Sequence, residues 1–186
     1  MECRTVKDQR EQPKGKSIKR TALEWGVHLA TAMAVALFIN NFIIVNASVT
    51  SGSMENTVMT GSRVFGSRLA YLSREPERFD IVAFMLSDGG EEKRFFKRII
   101  GLPEETVEIR AGKVYINDAE KPLTEPFIRD IPSGDYGPFQ VPEDHYFMLG
   151  DNRNHSYDSR YWDNPYIERS RILGKAYLEY YPEIKV

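Results

Sequence analysis

The chain is poor in cysteine, in histidine and in net charge. Its single cysteine, Cys3, excludes an intramolecular disulfide and a cysteine-rich metal site, and it leaves the redox compartment undetermined. His145, Asp144 and Asp151 have no recognised ligand spacing, so no metal centre is expected. A formal net charge of −2 and a pI near 6.0 argue against a protein that binds nucleic acid by neutralising many phosphates. Internal repeats and low-complexity tracts are absent as well. What remains is a chain of 186 residues, 41% hydrophobic, an ordinary globular composition with room for one real core.

Charge and apolarity are unevenly distributed. Residues 1–20 carry seven Lys and Arg against three Asp and Glu, a local balance of +4, while Trp25 to Val45 is a run of 21 residues without any of the four. About twenty apolar residues suffice for a helix to cross a bilayer core. The reading is therefore a basic cytoplasmic tail over 1–23, a transmembrane anchor over 24–45 and an extracytoplasmic domain over 46–186. The orientation follows from the positive flank on the amino-terminal side. Of the polar members His28, Thr31, Asn40 and Asn41, three lie toward the ends of the run. Two alternatives stand beside this one. A removable secretory signal would use the small residues of Val45-Asn46-Ala47 as its cleavage site, but the apolar run exceeds the usual signal core of about 7 to 15 residues. A buried core helix of a soluble protein fits the abrupt basic flank least well.

From Asn46 onward no segment of convincing length has helical periodicity. Short β-like runs alternate with Gly, Pro, Asn and Asp: 80–84, 94–100, 106–109, 113–117, 146–149 and 172–180 read as strands. Ala111-Gly112 and Asp88-Gly89-Gly90 fall where hairpin turns belong, so neighbouring strands are expected to be antiparallel. Residues 118–142 contain Pro122, Pro126, Pro132, Pro138 and Pro142, which excludes a helix or a central strand and predicts a long surface excursion.

Three stretches carry candidate chemistry. Thr50-Ser51-Gly52-Ser53-Met54 lies just beyond the apolar run, where an exposed hydroxyl would work near a membrane surface, although most such segments are plain loops. In Lys93 to Ile100 the strand period of two puts Phe95, Lys97 and Ile99 on one face and Phe96, Arg98 and Ile100 on the other. A lysine between two apolar neighbours loses hydration, which disfavours its ammonium and makes it a potential base. The bland alternative is that Lys97 reaches water or pairs with a carboxylate. Gly150 to Arg160 is dense in short hydrogen-bonding side chains, able to lock its own backbone, with Asp158 and Arg160 spaced to form an ion pair.

Taken in order, these stretches resemble the type I signal peptidases, peptidase family S26, the membrane-anchored Ser-Lys proteases that remove signal peptides. Ser51-Gly52-Ser53-Met54 with Thr57 is similar to the family's nucleophile box and Arg78-Phe79-Asp80-Ile81-Val82 to its next strand box. Phe96-Lys97-Arg98-Ile99-Ile100-Gly101-Leu102-Pro103 is similar to its lysine box. Gly150-Asp151-Asn152-Arg153 with Ser156, Asp158, Ser159 and Arg160 is similar to its terminal box. The resemblance implies a mainly β fold, two antiparallel sheets forming a partly open, barrel-like catalytic domain behind one transmembrane helix, in the Gram-positive style. It implies Ser53 as nucleophile and Lys97 as general base. The Ser53 N–H and Ser51 hydroxyl would form the oxyanion hole, Ser156 would position the amine, and Asp158 with Arg160 would support the site. No metal or organic cofactor is implied. The implied partners are signal-peptide-bearing preproteins cut after small side chains, the lipid bilayer and a neighbouring secretion translocon, with no nucleic acid.

Two departures from the family pattern stand out. Asn56 replaces a usual proline, which predicts a looser nucleophile loop, and Asn154-His155 replaces a commoner Asp-Asn pair, placing a titratable ring near the site. Val49, Met54, Val58 and Met59 are candidates to line substrate pockets, to dip into lipid or to form ordinary core. Rival readings are a self-cleaving repressor of the DNA-damage response, which shares the Ser-Lys logic, a Ser-His-Asp hydrolase using His155, and a non-catalytic exported scaffold.

Overall fold

Residues 18–55, 57–130 and 132–181 are described by the computed structural model; Cys3, the basic positions up to Lys16 and Asn56 lie outside them. The chain divides into two units, Met1–Phe38 and Ile39–Val186. The first contributes helix α1, Ile18–Phe38, on which Leu23, Trp25, Leu29, Met33 and Leu37 are all more than half exposed. Arg20–Ile43, 24 residues, is apolar and long enough to cross a membrane, none of its most apolar window being buried in protein. At 1.5 Å per residue such a helix is about 36 Å long, against about 30 Å of hydrocarbon.

The second unit opens on a π-helical turn, Ile39–Ile43, and is mainly β. Its strands are β1 Ile44–Ser48, β2 Arg63–Ser67, β3 Ile81–Asp88, β4 Glu91–Gly101 and β5 Thr106–Arg110, followed by β6 Lys113–Ile116, β7 Tyr136–Gln140, β8 His145–Leu149, β9 Tyr166–Glu168 and β10 Ile172–Tyr181. Seven form one sheet in the order β1-β2-β10-β3-β4-β8-β9, and three form another in the order β6-β5-β7. Every pairing is antiparallel, and the sheets do not close into a barrel. The expected hairpins form where glycine permits left-handed backbone. Gly89 and Gly90, with φ of 63° and 84°, join β3 to β4, and Ala111 and Gly112, at 47° and 74°, join β5 to β6.

Four strands escaped the sequence reading, and the physical reasons differ. Ile44 and Val45 belong to β1 rather than to the helical run, and a short apolar stretch does not by itself distinguish strand from helix. β2 contains Gly66 and β9 is only three residues long. β7 corrects the expected excursion: the last part of 118–142 is a strand, and Pro138 is tolerated because β7 is an edge strand, bonded to β5 alone.

What positions the site is the central strand β4. It pairs with β3 from Arg98↔Ile81 to Glu91↔Asp88, but with β8 only from Arg98 onward. One backbone edge of residues 94–97 is thus without a strand partner among the described residues. Its two faces feed different cores. Phe95 and Ile99 join a cluster with Val82, Phe84, Met148 and Trp162, whereas Phe96 packs with Val49, Met54, Val58 and Val64, and Ile100 with Val107, Phe147 and Leu149. Phe84 is fully buried between Phe95 and Trp162, with ring centroids at 6.1 and 5.8 Å. Phe84→Ala is expected to cost about 3–5 kcal/mol of stability, read as a lowered midpoint in denaturant unfolding of the full chain in detergent. A cost below about 1 kcal/mol would mean that this cluster does not support β4.

Candidate active site

Ser53 stands on a short 3-10 turn, Gly52–Met54, entered from extended backbone at Ser51. The turn is closed by the Glu55 N–H on Gly52 O at 3.1 Å and the Val58 N–H on Met54 O at 2.8 Å, while the Met54 side chain is sunk into the Val49–Val58–Val64 cluster. An anchored turn of this kind fixes where its serine points. Ser53 is 6% exposed, and its Oγ lies 2.5 Å from Nζ of Lys97, which donates to it.

Lys97 arrives from β4, on the face it shares with Phe95 and Ile99, and is 1% exposed. It does not reach water and makes no ion pair among the described residues, so neither bland alternative applies. Burial draws its pKa down from 10.5 to about 8; the carboxylates of Asp158 and Asp151 oppose the fall, and the Arg160 guanidinium assists it. At pH 7 about one such amine in ten is neutral, against about one in three thousand for an ordinary lysine.

The loop after β8 meets the serine turn from the other side. The Asn152 N–H donates to Ser53 O at 3.1 Å and its Nδ2 to Gly52 O at 3.0 Å, two clamps on consecutive carbonyls that the sequence reading did not assign. Asp158, fully buried, accepts from Arg160 Nε at 2.8 Å and Nη2 at 2.9 Å and also from the Gly150 N–H at 3.0 Å. Asp151 accepts from Arg98 Nε at 2.8 Å and Nη2 at 2.5 Å, and from Thr57 Oγ1 at 2.5 Å. This last pair couples the lysine strand, the serine loop and the terminal loop in one network. Its residues all fall inside the sequence boxes, but pairing across 53 or 94 positions leaves no local mark.

The predicted residues are brought together unequally. Ser51 Oγ is 3.2 Å from Ser53 Oγ. Ser156 is buried, but its Oγ has no hydrogen-bond partner, so the expected bond to the Lys97 amine is not formed here. Its hydroxyl lies instead against Gly150. His155 is exposed, and the side chain that meets the Ser53 hydroxyl is Lys97 instead. Val49 and Met54 line a cavity of about 280 Å³ between residues 48–54 and Lys93–Phe96, Val58 is core, and Met59 is exposed. A larger cavity, about 370 Å³, lies elsewhere among Leu86, His145, Tyr157, Trp162 and Arg171 and contains neither Ser53 nor Lys97. Among the described residues no group of three His, Cys, Asp or Glu is placed to hold a metal ion.

A buried hydroxyl in contact with a desolvated amine, beside an open strand edge, is an arrangement suited to acyl transfer from a peptide. The chain belongs to the signal peptidase family, peptidase S26, whose model matches residues 22–181. It is 40% identical over 172 residues to the probable signal peptidase I-2 of Synechocystis sp., covering 90% of this chain and 77% of that one. With signal peptidase I S of Bacillus subtilis it shares 34% identity over 177 residues, 89% and 92% of the two chains. A crystal structure of a signal peptidase I from Enterococcus faecalis is 34% identical, covers 55% of this chain and 97% of that one, and superposes with a TM-score of 0.46.

Gly150 marks how tightly the two loops meet: a Cβ built there would lie 2.2 Å from Ser156 Oγ and 2.4 Å from Ser53 O. Since a backbone carbonyl cannot turn aside as a side chain can, Gly150→Ala should push the serine turn away from Lys97. The expected result is at least a tenfold loss of peptide cleavage, as is typical of a small misplacement, with about 1–3 kcal/mol lost from stability. A parent-like rate in a peptide cleavage assay would show that the loops do not touch in solution.

Proposed function

We propose that this chain is a membrane-anchored serine endopeptidase that removes amino-terminal signal peptides from exported preproteins, with Ser53 as nucleophile and Lys97 as general base. The observation that carries the reading is the 2.5 Å contact between Ser53 Oγ and a lysine amine that burial makes a base near neutral pH. In the working state the contact runs the other way: the serine O–H donates to the lone pair of neutral Nζ. As Oγ attacks the substrate carbonyl, its proton passes to Nζ, and the carbonyl oxygen becomes an oxyanion held by the Ser53 N–H and the Ser51 hydroxyl. Nζ then gives the proton to the departing amine of the mature protein, leaving an acyl-enzyme. Water, deprotonated by the same amine, releases the signal peptide and regenerates Ser53. The ammonium formed on the way has three donors, and the free hydroxyl of Ser156 is assigned as an acceptor for one of them. Asp158 and Arg160 hold the loop that carries it.

The strand edge of residues 94–97, which β8 does not cover, and the cavity bounded by Ser48–Ser51 and Lys93–Phe96 support an extended substrate that adds as a strand, with shallow space for small side chains beside Ser53. Arg20–Ile43 is assigned as the anchor, with the basic segment before it cytoplasmic and the catalytic unit outside. Retention rather than removal of this segment is favoured by β1: cleavage at Val45-Asn46-Ala47 would strip the sheet of the strand that pairs with β2 and carries buried Val45. A repressor-type protease is disfavoured because α1 is the one α-helix among the described residues. A non-catalytic scaffold has no use for a desolvated lysine on a serine.

Ser53→Ala and Lys97→Ala are each expected to lower cleavage of a signal-peptide substrate in detergent by at least about a thousandfold; a parent-like rate in either would end the dyad. Because the charged amine is inactive and deprotonation is favoured as pH rises, cleavage should climb through pH of about 8 and level off above it. A rate that stays flat from pH 6 to pH 9.5 would contradict the assignment of Lys97 as base.

A further inference from the structure

The proline-rich stretch 118–142 was expected to lie on the surface, yet two of its side chains are turned onto buried arginines of the terminal loop and the lysine strand. Glu125 grips Arg153 with both carboxylate oxygens, Oε2 at 3.1 Å from Nη1 and Oε1 against Nη2, and the two side chains are 9% and 2% exposed. Two residues on, the ring of Phe127 lies 3.9 Å from Cζ of Arg98 and edge-on to Phe79, at a centroid distance of 5.4 Å. Arg98 in turn holds Asp151. Neither contact belongs to the chemistry assigned above.

Arg153 is the middle of a short relay. Its Nε donates to Gly150 O at 3.1 Å, and its own carbonyl accepts from Arg160 Nη2 at 2.7 Å. Asp158, the partner of Arg160, takes the Gly150 N–H. Gly150 is therefore gripped through both its N–H and its carbonyl, at the place where even an added Cβ would run into Ser53 O and Ser156 Oγ. We infer that Glu125 is a positioning residue for the cleavage reaction, acting through Arg153 on Gly150 and thereby on the Ser53 turn and the Ser156 hydroxyl. With the carboxylate neutralised, a buried guanidinium is left uncompensated, and the least costly remedy is for it to turn toward another acceptor or toward water. Either movement releases the Gly150 carbonyl. The substrate cleft between residues 48–54 and 93–96 contains no atom of Glu125, so substrate binding is left as it was while the reacting atoms lose their alignment.

This inference rests on the Ser53–Lys97 reading, and the experiment separates the two. Cleavage kinetics of a signal-peptide substrate are measured for the full chain in detergent, with Ser53→Ala as a control and Glu125→Gln, Arg153→Gln and the double variant as the test. Glutamine keeps the size of Glu125, and rates are referred to the folded fraction seen in near-ultraviolet circular dichroism. Glu125→Gln should lower kcat by about tenfold while KM stays within about twofold. In the Arg153→Gln background the same change should cost less than about threefold, because residues acting through one partner are not additive. A loss confined to KM, a kcat within twofold of the parent, or equal losses in both backgrounds would overturn the role of Glu125. Cleavage by Ser53→Ala at the parent rate would instead overturn the dyad, whatever the Glu125 variants do.

Discussion

The proposed reading needs a neutral amine at position 97, and the rest of the site can be understood as making that amine easier to deprotonate. Apolar burial supplies the pressure, through Phe95 and Ile99 on the same strand face. Two carboxylates, Asp151 and Asp158, lie close enough to work against it and raise the lysine pKa. Each is held by its own arginine through two hydrogen bonds, Arg98 on Asp151 and Arg160 on Asp158, and each is also committed to the backbone or a hydroxyl. A carboxylate so engaged has little left to offer a third cation. Arg160 itself pushes the lysine toward its neutral form, by less than either carboxylate opposes it, so burial carries the shift. Removing either arginine would leave a buried anion near the amine and favour its charged form.

The same pairs set geometry. Buried ion pairs are poor sources of net stability, because desolvating two charges costs several kcal/mol that their attraction only roughly returns. A hydrophobic repacking of Arg98–Asp151 or Arg160–Asp158 could keep the fold intact. It could not hold the Gly150 N–H, bind Thr57 of the serine loop, or direct Arg160 to the carbonyl of Arg153. The directional bonds, rather than the charge attraction, explain why the pairs lie at the meeting of the serine turn, the lysine strand and the terminal loop.

How much of this was visible in the residues depended on the range of the interaction. The alternation in Lys93 to Ile100 gave the correct faces, because a strand's period is local, and the hairpin glycines gave the correct turns for the same reason. Lys97 was singled out by its strand face and again, with Ser53, by the sequence boxes; the two lie in contact, and the roles the resemblance gives them stay with the proposal. The Asn152 clamps on Gly52 and Ser53, a hundred residues away, have no local signature. Glu125 is a harder case, since five prolines in 118–142 spelled surface loop, which holds for the backbone at Glu125 but not for β7, and not for the Glu125 side chain. Ser156 shows the limit in the other direction: the box placed it in the site, but the bond it was expected to make is absent.

That absence is consistent with the protonation cycle. A neutral amine engaged with Ser53 has one lone pair, already occupied by the serine O–H, and its two hydrogens are weak donors in little need of acceptors. Once it has taken the proton it becomes a buried cation with three strong donors, and a buried charge without partners is far costlier than a buried hydroxyl without one. On the proposed reading, the unpaired Ser156 hydroxyl would matter most in the step that puts the serine proton on the amine. On the same reading, the modest cost of leaving Ser156 unsatisfied is offset in the step that protonates the lysine, so its hydroxyl would stabilise that step rather than the ground state.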